Sequence, residues 1–194
     1  PWDKVQTHTS IRMNFLEEAY EAVDALDLDD PVLMCEELGD VLMQVAFHTC
    51  MEQETGRFTW EQVCDGVCQK LIERHPNIFG TQPGYEGITD WDALKNKEKG
   101  RRTLADDLES VPRAMPALMR AAKLQKRAAR HGAALQGADA AALVDAAENL
   151  QTAQPASAQA EQAVGKLLFA AANLARQAGV DPEQALQKAN EAFC

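Results

Sequence analysis

Residues 15–56 decide the fold and read FLEEAYEAVDALDLDDPVLMCEELGDVLMQVAFHTCMEQETG. Apolar residues recur in this stretch at spacings of three and four, which is the periodicity of amphipathic helices. The pair Asp30-Pro31 between the two apolar runs is typical of a helix start, with an N-cap residue followed by a first-turn proline. The stretch therefore predicts a first helix over about 10–26 and a second from Pro31 to Gly56. Their predicted apolar faces are Phe15, Leu16, Ala19, Tyr20 and Val23 on the first helix, and Leu33, Leu38, Val41, Leu42, Val45 and Phe47 on the second.

The rest of the chain is also predicted to be helical. Thr59 and Gln62 match a capping box that begins a third helix, which Pro76 ends. Residues 76–89 contain two prolines and three glycines and predict a loop, followed by a short helix with Trp91 and a basic linker. That linker covers 95–102, and further helices are predicted over 116–130, 139–152 and 156–178, and from 181 onward. Because no pair of strands flanks a hairpin turn, the predicted fold class is all-α.

The composition excludes several classes of protein. The chain has 194 residues, 46% of them hydrophobic, yet no run approaches the roughly 20 apolar residues of a membrane helix. Five cysteines are too few and too scattered for a disulfide scaffold, which favours reduced thiols in the cytoplasm. The formal net charge of −11 argues against a basic surface that binds nucleic acid. We therefore expect a cytoplasmic protein without membrane or nucleic-acid partners.

The acidic excess is concentrated in the first two predicted helices. Residues 1–54 contain thirteen acidic side chains against two basic ones, and the remaining residues are balanced. Glu18 and Glu21 lie one turn apart on the first helix, as do Glu37 and Asp40 on the second, so each pair shares a helix face. Antiparallel packing brings the two pairs together, where a hard divalent cation such as Mg²⁺ or Mn²⁺ offsets their repulsion. The alternative is a set of solvent-facing acids on two amphipathic helices.

The residues around this pattern resemble one family of enzymes. Glu17-Glu18-x-x-Glu21 followed by Glu37-x-x-Asp40 is similar to the E-E-x-x-E…E-x-x-D signature of all-α nucleoside triphosphate pyrophosphohydrolases. Longer segments closely resemble the MazG family, namely Pro1–Lys4, Gln6–His8, Leu16–Glu21, Glu36–Asp40, Arg74–Pro76, Ile78–Gly80, Ala117–Arg120 and Lys123–Ala128. The resemblance covers nearly the whole chain.

This resemblance implies an all-α helical bundle, a homodimer, and hydrolysis of a nucleoside triphosphate to the monophosphate and pyrophosphate. The implied cofactor is Mg²⁺, with Mn²⁺ as a substitute. The positions that match the family's metal ligands are Glu18, Glu21, Glu37 and Asp40, with Glu17 beside them as a further catalytic residue. Those that match its nucleotide-binding residues are Lys70, Arg74, Trp91 and Lys95. From the residues alone, a solvated helix face is the favoured interpretation of Lys70 and Arg74, and a core or interface aromatic stays an alternative for Trp91 even with the resemblance.

Five other residues receive simpler interpretations. His8 and Arg12 precede the first acidic pair and are expected to lie near it. His48, on the second helix, is interpreted as a core or interface histidine rather than a metal ligand. Cys64 and Cys68 share a helix face and are interpreted as small apolar packing residues.

The second half of the chain resembles a further copy of the family's domain that has lost its acids. Where the family's tandem copy has E-x-G-D, this chain has Ala163-Val164-Gly165-Lys166, and in place of E-E-x-x-E it has Ala-Ala-Glu-Asn-Leu at 146–150. A lysine at an aspartate position repels a divalent cation. We therefore expect a catalytic domain over 1–100, a connecting helical segment over 101–132, and a degenerate, non-catalytic domain over 133–194.

The sequence thus predicts a nucleoside triphosphate pyrophosphohydrolase that acts in nucleotide-pool house-cleaning or in the stress response. Two alternatives stay open at this point. One is a regulatory scaffold that binds nucleotide or a partner protein with little catalysis, and the other is a narrower pyrophosphatase for dUTP or dCTP. The clustered carboxylates favour an enzyme, because a scaffold has no need to hold acids together.

Overall fold

The computed structural model describes residues 1–79 and 98–193, and within these ranges the chain contains helices and no strands. It divides into two compact units, Pro1–Thr89 and Asp90–Cys194. The first unit holds a 3₁₀ turn, Asp3–Val5, and helices α1 (Arg12–Asp27), α2 (Pro31–Glu54), α3 (Trp60–Arg74) and α4 (Pro76–Phe79). The second unit holds α5 (Leu104–Glu109), α6 (Ala117–Arg130), α7 (Ala140–Thr152), α8 (Ala158–Gln177) and α9 (Pro182–Phe193). The all-α prediction is confirmed. None of the described helices has both the length and the apolar character that crossing a bilayer requires.

The starts of α2 and α3 are fixed by the side chains that the sequence predicts. The Asp30 carboxylate accepts hydrogen bonds from the backbone N–H groups of Val32 (2.9 Å) and Leu33 (3.1 Å). At α3, Thr59 Oγ1 accepts from the Gln62 N–H, and the Gln62 side chain accepts from the Thr59 N–H. These caps satisfy backbone donors that the first turn of a helix otherwise leaves unpaired.

Helices α1 and α2 pack against each other as a hairpin across the turn at 28–30. The prediction of their apolar faces is partly wrong, because several members are exposed within the single chain. These are Leu16, Tyr20, Val23, Leu38 and Leu42. The α2 residues that are fully buried are instead Gln44, Thr49 and Glu52. One hairpin covers a single stripe of each helix, whereas α2 carries apolar residues around more of its circumference.

Two short helices differ from the predicted organisation. Helix α4 occupies the first four residues of the predicted loop at 76–89, because a proline is well tolerated in the first turn of a helix. Helix α5 is not among the predicted helices, although Thr103 and Asp106 form a capping box there. The rest of that loop and the predicted helix around Trp91 lie outside the described residues.

The second unit is organised around the hairpin of α7 and α8, with α6 packed on α8. Its core consists mainly of small residues, which allow the helix backbones to approach closely, and it includes Ala146, Ala163, Ala170 and Ala172. Two buried amides tie the helices to neighbouring backbone: Gln125 Nε2 donates to the Phe169 carbonyl, and Asn173 Nδ2 donates to the Ala138 carbonyl, each at 2.7 Å. Each of these two amide nitrogens donates to a backbone carbonyl, so the pair helps to specify how the helices pack.

A buried ion cluster joins α5 to α6. Asp107 is 1% exposed, and its carboxylate accepts a hydrogen bond from Arg130 Nη2 at 2.7 Å. Two further nitrogen atoms, Arg127 Nη1 and His131 Nε2, each lie 3.1 Å from the same carboxylate. Arg127 Nη1 also donates to the Asp107 backbone carbonyl at 2.5 Å and to Ser110 Oγ. The buried negative charge is therefore compensated on several sides.

Candidate metal centre

The α1–α2 hairpin brings carboxylates from both helices together. Oxygen atoms of Glu18, Glu21 and Glu37 all lie within 4.8 Å of one another, with Glu18 and Glu37 half-buried and Glu21 exposed. We call these three residues the acidic cluster. Glu18 and Glu21 leave α1 on the same face because they are three residues apart. Carboxylate oxygens are the donors that hard divalent cations prefer, so the donor set fits Mg²⁺ or Mn²⁺.

The acidic cluster carries an electrostatic cost that a cation would relieve. Partial desolvation is the main cause that raises the pKa of Glu18, followed by the charges of Asp40 and Glu21. Desolvation is also the main cause that raises the pKa of Glu37, followed by the charges of Glu21 and Asp40, then Glu36 and Glu18. Asp40 thus lies close enough to act on both helices' acids. Burial and the charges of neighbouring acids therefore both disfavour the ionised forms of Glu18 and Glu37.

Gln44 is a site residue that sequence reasoning missed. It lies one turn after Asp40 on α2, it is buried, and its Nε2 donates a hydrogen bond to Glu18 Oε1 at 3.4 Å. This hydrogen bond lowers the pKa of Glu18, against the other influences on that group. The available signal is a lone amide inside the apolar run 41–47, four residues after Asp40.

The remaining predicted site residues lie in different places. Glu17 is exposed on α1 and stands outside the acidic cluster. Lys70 and Arg74 lie one turn apart on α3, a helix that contacts α2. Lys70 is exposed, whereas Arg74 is half-buried and makes interactions of its own. Trp91 and Lys95 lie outside the described residues, so the nucleotide-binding set stays a prediction.

A second polar cluster lies further along α2. His8 Nδ1 is 2.7 Å from His48 Nδ1, and the two rings are stacked with centroids 5.0 Å apart. His8 Nε2 lies 2.5 Å from Glu52, whose carboxylate also accepts from Arg57 at 2.6 Å. Burial, followed by the charge of His8, lowers the pKa of His48. His48 is half-buried, in agreement with its interpretation as a core or interface histidine. His8, expected near the acidic cluster, contacts His48 and Glu52 instead. Arg12 is exposed.

Four cysteines are described, and all are free and exposed: Cys35, Cys50, Cys64 and Cys68. The interpretation of Cys64 and Cys68 as packing residues is wrong for the single chain. The reason is that α3 has few neighbours, and none of its residues is fully buried.

Comparison with known proteins identifies the family. A sequence model of the MazG nucleotide pyrophosphohydrolase domain matches residues 6–79, which include the acidic cluster. A nucleoside triphosphate pyrophosphohydrolase of Escherichia coli K12 is 40% identical over 204 aligned residues, which span 100% of this chain and 77% of that protein. The chain belongs to the MazG nucleotide pyrophosphohydrolase family. A nucleoside triphosphate pyrophosphohydrolase/pyrophosphatase MazG of Thermotoga maritima is 38% identical over 99% of this chain and 75% of its own length. The YabN protein of Bacillus subtilis is 37% identical over all of this chain and 41% of its own length. The MazG-domain match lies within the first unit, on the helices that form the acidic cluster.

Proposed function

We propose that this MazG protein cleaves nucleoside triphosphates between the α and β phosphates with Mg²⁺ as cofactor, releasing the nucleoside monophosphate and pyrophosphate. The chain belongs to the MazG nucleotide pyrophosphohydrolase family, and its relatives from Escherichia coli and Thermotoga maritima are named nucleoside triphosphate pyrophosphohydrolases. The observation that carries the proposal is the acidic cluster. Among the described residues, no lysine or arginine pairs with Glu18, Glu21 or Glu37, although the three carboxylates crowd together. Such a cluster is favourable in the folded state when it holds a cation.

The proposed ligands of the cation are Glu18, Glu21, Glu37 and Asp40, with Mn²⁺ as a possible substitute for Mg²⁺. When bound, the cation neutralises triphosphate charge and lowers the pKa of a water molecule. The chain's own contribution is positioning. Gln44 holds the Glu18 carboxylate through its hydrogen bond. Glu17 precedes Glu18 on α1 and is proposed as a further catalytic carboxylate that accepts a proton from the attacking water.

The proposed nucleotide-binding residues are Lys70, Arg74, Trp91 and Lys95. Lys70 and Arg74 share one face of α3, so their cations can bind oxygens of the same triphosphate. Trp91 offers an aromatic face for the base, and Lys95 adds a further cation. Binding of a triphosphate would give a role to the basic pair Lys70 and Arg74 on α3, the helix that follows the acidic helices α1 and α2.

Product analysis tests the reaction class. The full chain is incubated with Mg²⁺ and a panel of ribonucleoside and deoxyribonucleoside triphosphates, and the products are separated. The expected products are the monophosphate and pyrophosphate, and the same panel measures whether dUTP or dCTP is preferred. Release of a diphosphate and inorganic phosphate would contradict the proposal, as would turnover that persists undiminished when EDTA removes the metal.

We also propose that the protein is a homodimer that buries the exposed apolar residues of α1 and α2. Leu38 and Leu42 lie one turn apart on α2 and are 51% and 57% exposed. Contiguous exposed apolar surface of this kind marks an interaction site. In light scattering, Leu38→Glu is expected to convert the dimer to a monomer, whereas Val144→Glu, at a similarly exposed position on α7, leaves it intact. A monomeric wild-type protein, or a dimer indifferent to Leu38→Glu, would contradict this proposal.

Catalysis is proposed to reside in the first domain alone, residues 1–100, with 101–132 as a connecting segment and 133–194 as a degenerate domain. Within the described part of the second unit, no three acidic, histidine or cysteine side chains lie close enough together to hold a metal ion. Lys166 stands where the acidic motif would end. A Glu37→Gln, Asp40→Asn double variant of the full chain is expected to lose Mg²⁺-dependent pyrophosphate release, and substantial residual release would overturn the assignment.

The free cysteines support a cytoplasmic location.

A further inference from the structure

An open cavity in the second unit has no assigned role. It has a volume of about 770 Å³ and lies between α7 and α8, next to the turn at 136–137. Cavities of roughly 300–1,000 Å³ are typical of small-molecule sites. The cavity is therefore large enough for a mononucleotide-sized ligand.

The cavity occupies the positions at which the second copy of the motif has lost its acids. Ala146, Ala163 and Lys166 all line it, and they align with Glu17, Glu37 and Asp40 of the first copy. Two large acids are replaced by alanine, which removes side-chain volume, and one acid is replaced by an ammonium group. The result is a space with the opposite charge preference from the acidic cluster, since a cation at Lys166 repels a divalent metal and attracts an anion.

The polar groups of the cavity are arranged on two walls. Lys166 lies on α8 and Asp145 on α7, and neither makes an ion pair within the described part of the chain. Asn149 and Gln162 also line the walls, with the Asn149 amide donating to the Asp145 backbone carbonyl at 2.7 Å, and Phe169 adds an apolar residue. The charged groups of the two walls are thus free to meet different parts of one ligand.

We propose that this cavity binds a nucleoside monophosphate without a divalent cation. Lys166 pairs with the phosphate in a charge-assisted hydrogen bond. Asp145 disfavours a bare phosphate but accepts hydrogen bonds from sugar hydroxyls or from the N–H groups of a base. Phe169 provides an apolar surface for the base. The inference goes beyond the proposed function and does not rest on it, because binding here needs neither Mg²⁺ nor turnover.

Calorimetric titration of the full chain in EDTA tests the inference. The probes are AMP, GMP, CMP and UMP, with inorganic phosphate and adenosine as partial ligands. At least one monophosphate is expected to bind, with inorganic phosphate and adenosine each binding more weakly. Lys166→Met is expected to weaken that binding at least about tenfold, since a charge-assisted hydrogen bond is lost. Lys126→Met, at an exposed lysine on α6 that does not line the cavity, is the matched control and is expected to change nothing.

A second variant obstructs the cavity without removing a charge. Gly165 lines the cavity, and a Cβ placed on it meets no atom within 4 Å, so Gly165→Leu projects into open space and is expected to leave α8 folded. Circular dichroism checks the fold, and binding is expected to be lost. The inference is overturned if none of the four monophosphates binds at millimolar concentration, or if Lys166→Met and Gly165→Leu bind as the wild type does. It is equally overturned if inorganic phosphate binds as tightly as the best monophosphate.

Discussion

The buried ion cluster around Asp107 predicts a large loss of stability when its charge is removed. Asp107→Asn keeps the shape of the side chain but leaves Arg127, which is buried, without its counter-charge. Arg130 loses its acceptor carboxylate in the same step, at a 2.7 Å contact. Breaking a buried ion pair by removing one partner costs about 3–5 kcal/mol. Taking 3 kcal/mol, a unit of about 100 residues is expected to melt roughly 12–24 °C lower.

Thermal melts followed by circular dichroism measure this effect, with Glu109→Gln on the same helix as the control because Glu109 is exposed. A double variant, Asp107→Leu with Arg127→Met, separates lost charge balance from lost packing. It is expected to recover much of the stability, because an apolar pair of similar volume often replaces a buried ion pair at little cost. If Asp107→Asn melted within about 2 °C of Glu109→Gln, the difference would be below about 0.5 kcal/mol, and the charge of Asp107 would not stabilise the fold.

Three further predictions concern the first unit. Millimolar Mg²⁺ is expected to raise the melting temperature, because the cation binds only the folded form. The rise is expected to be smaller in a Glu18→Gln, Glu21→Gln variant. If Mg²⁺ leaves the melting temperature of the wild type unchanged, the acids form a solvated helix face. Gln44→Leu is expected to weaken the apparent affinity for Mg²⁺ about tenfold, because Glu18 loses its orienting hydrogen bond. Stability without Mg²⁺ is expected to be unchanged or higher, since the unpaired buried oxygen of Gln44 is removed. An unchanged affinity for Mg²⁺ would rule out the positioning role of Gln44. The lowered pKa of His48 means that the unfolded chain binds a proton more readily, so stability is expected to fall as the pH drops below about 6.5. Urea midpoints measured from pH 7.5 to 5.5 test this in the wild type and in a His48→Gln variant, neither of which alters Glu52 or Arg57. The prediction is wrong if the two proteins lose stability with the same pH slope.

Local signals in the sequence predict most of the helices, because capping and periodicity involve residues close along the chain. Asp30 and the Thr59–Gln62 capping box act within one turn, and the structure shows both. The capping box of Thr103 and Asp106 is a local signal for helix α5. This helix is nevertheless not among the predicted ones, because the basic and polar segment just before it predicts a linker.

Features that depend on neighbours across the fold are harder to predict. Leu38 and Leu42 fit the periodicity of a core face, yet periodicity cannot distinguish a face covered by the same chain from one left open for another. Gln44 contacts Glu18 only because the hairpin has a particular register, which pairs residues 26 apart in the chain. The convergence of Glu18, Glu21 and Glu37 was predictable, since two helices joined by a short turn must lie side by side.

A cation held by the acidic cluster is proposed to support pyrophosphate release, and Glu37→Gln removes one of the carboxylates that would hold it. The measurement compares pyrophosphate release at saturating Mg²⁺ for the wild type, Glu37→Gln and Asp24→Asn, the last being an exposed acid on α1 outside the cluster. Glu37→Gln is predicted to lower turnover at least about 100-fold, a barrier change of roughly 2.7 kcal/mol, while Asp24→Asn stays near the wild type. Turnover of Glu37→Gln close to that of Asp24→Asn would mean that the acidic cluster does not hold a catalytic cation.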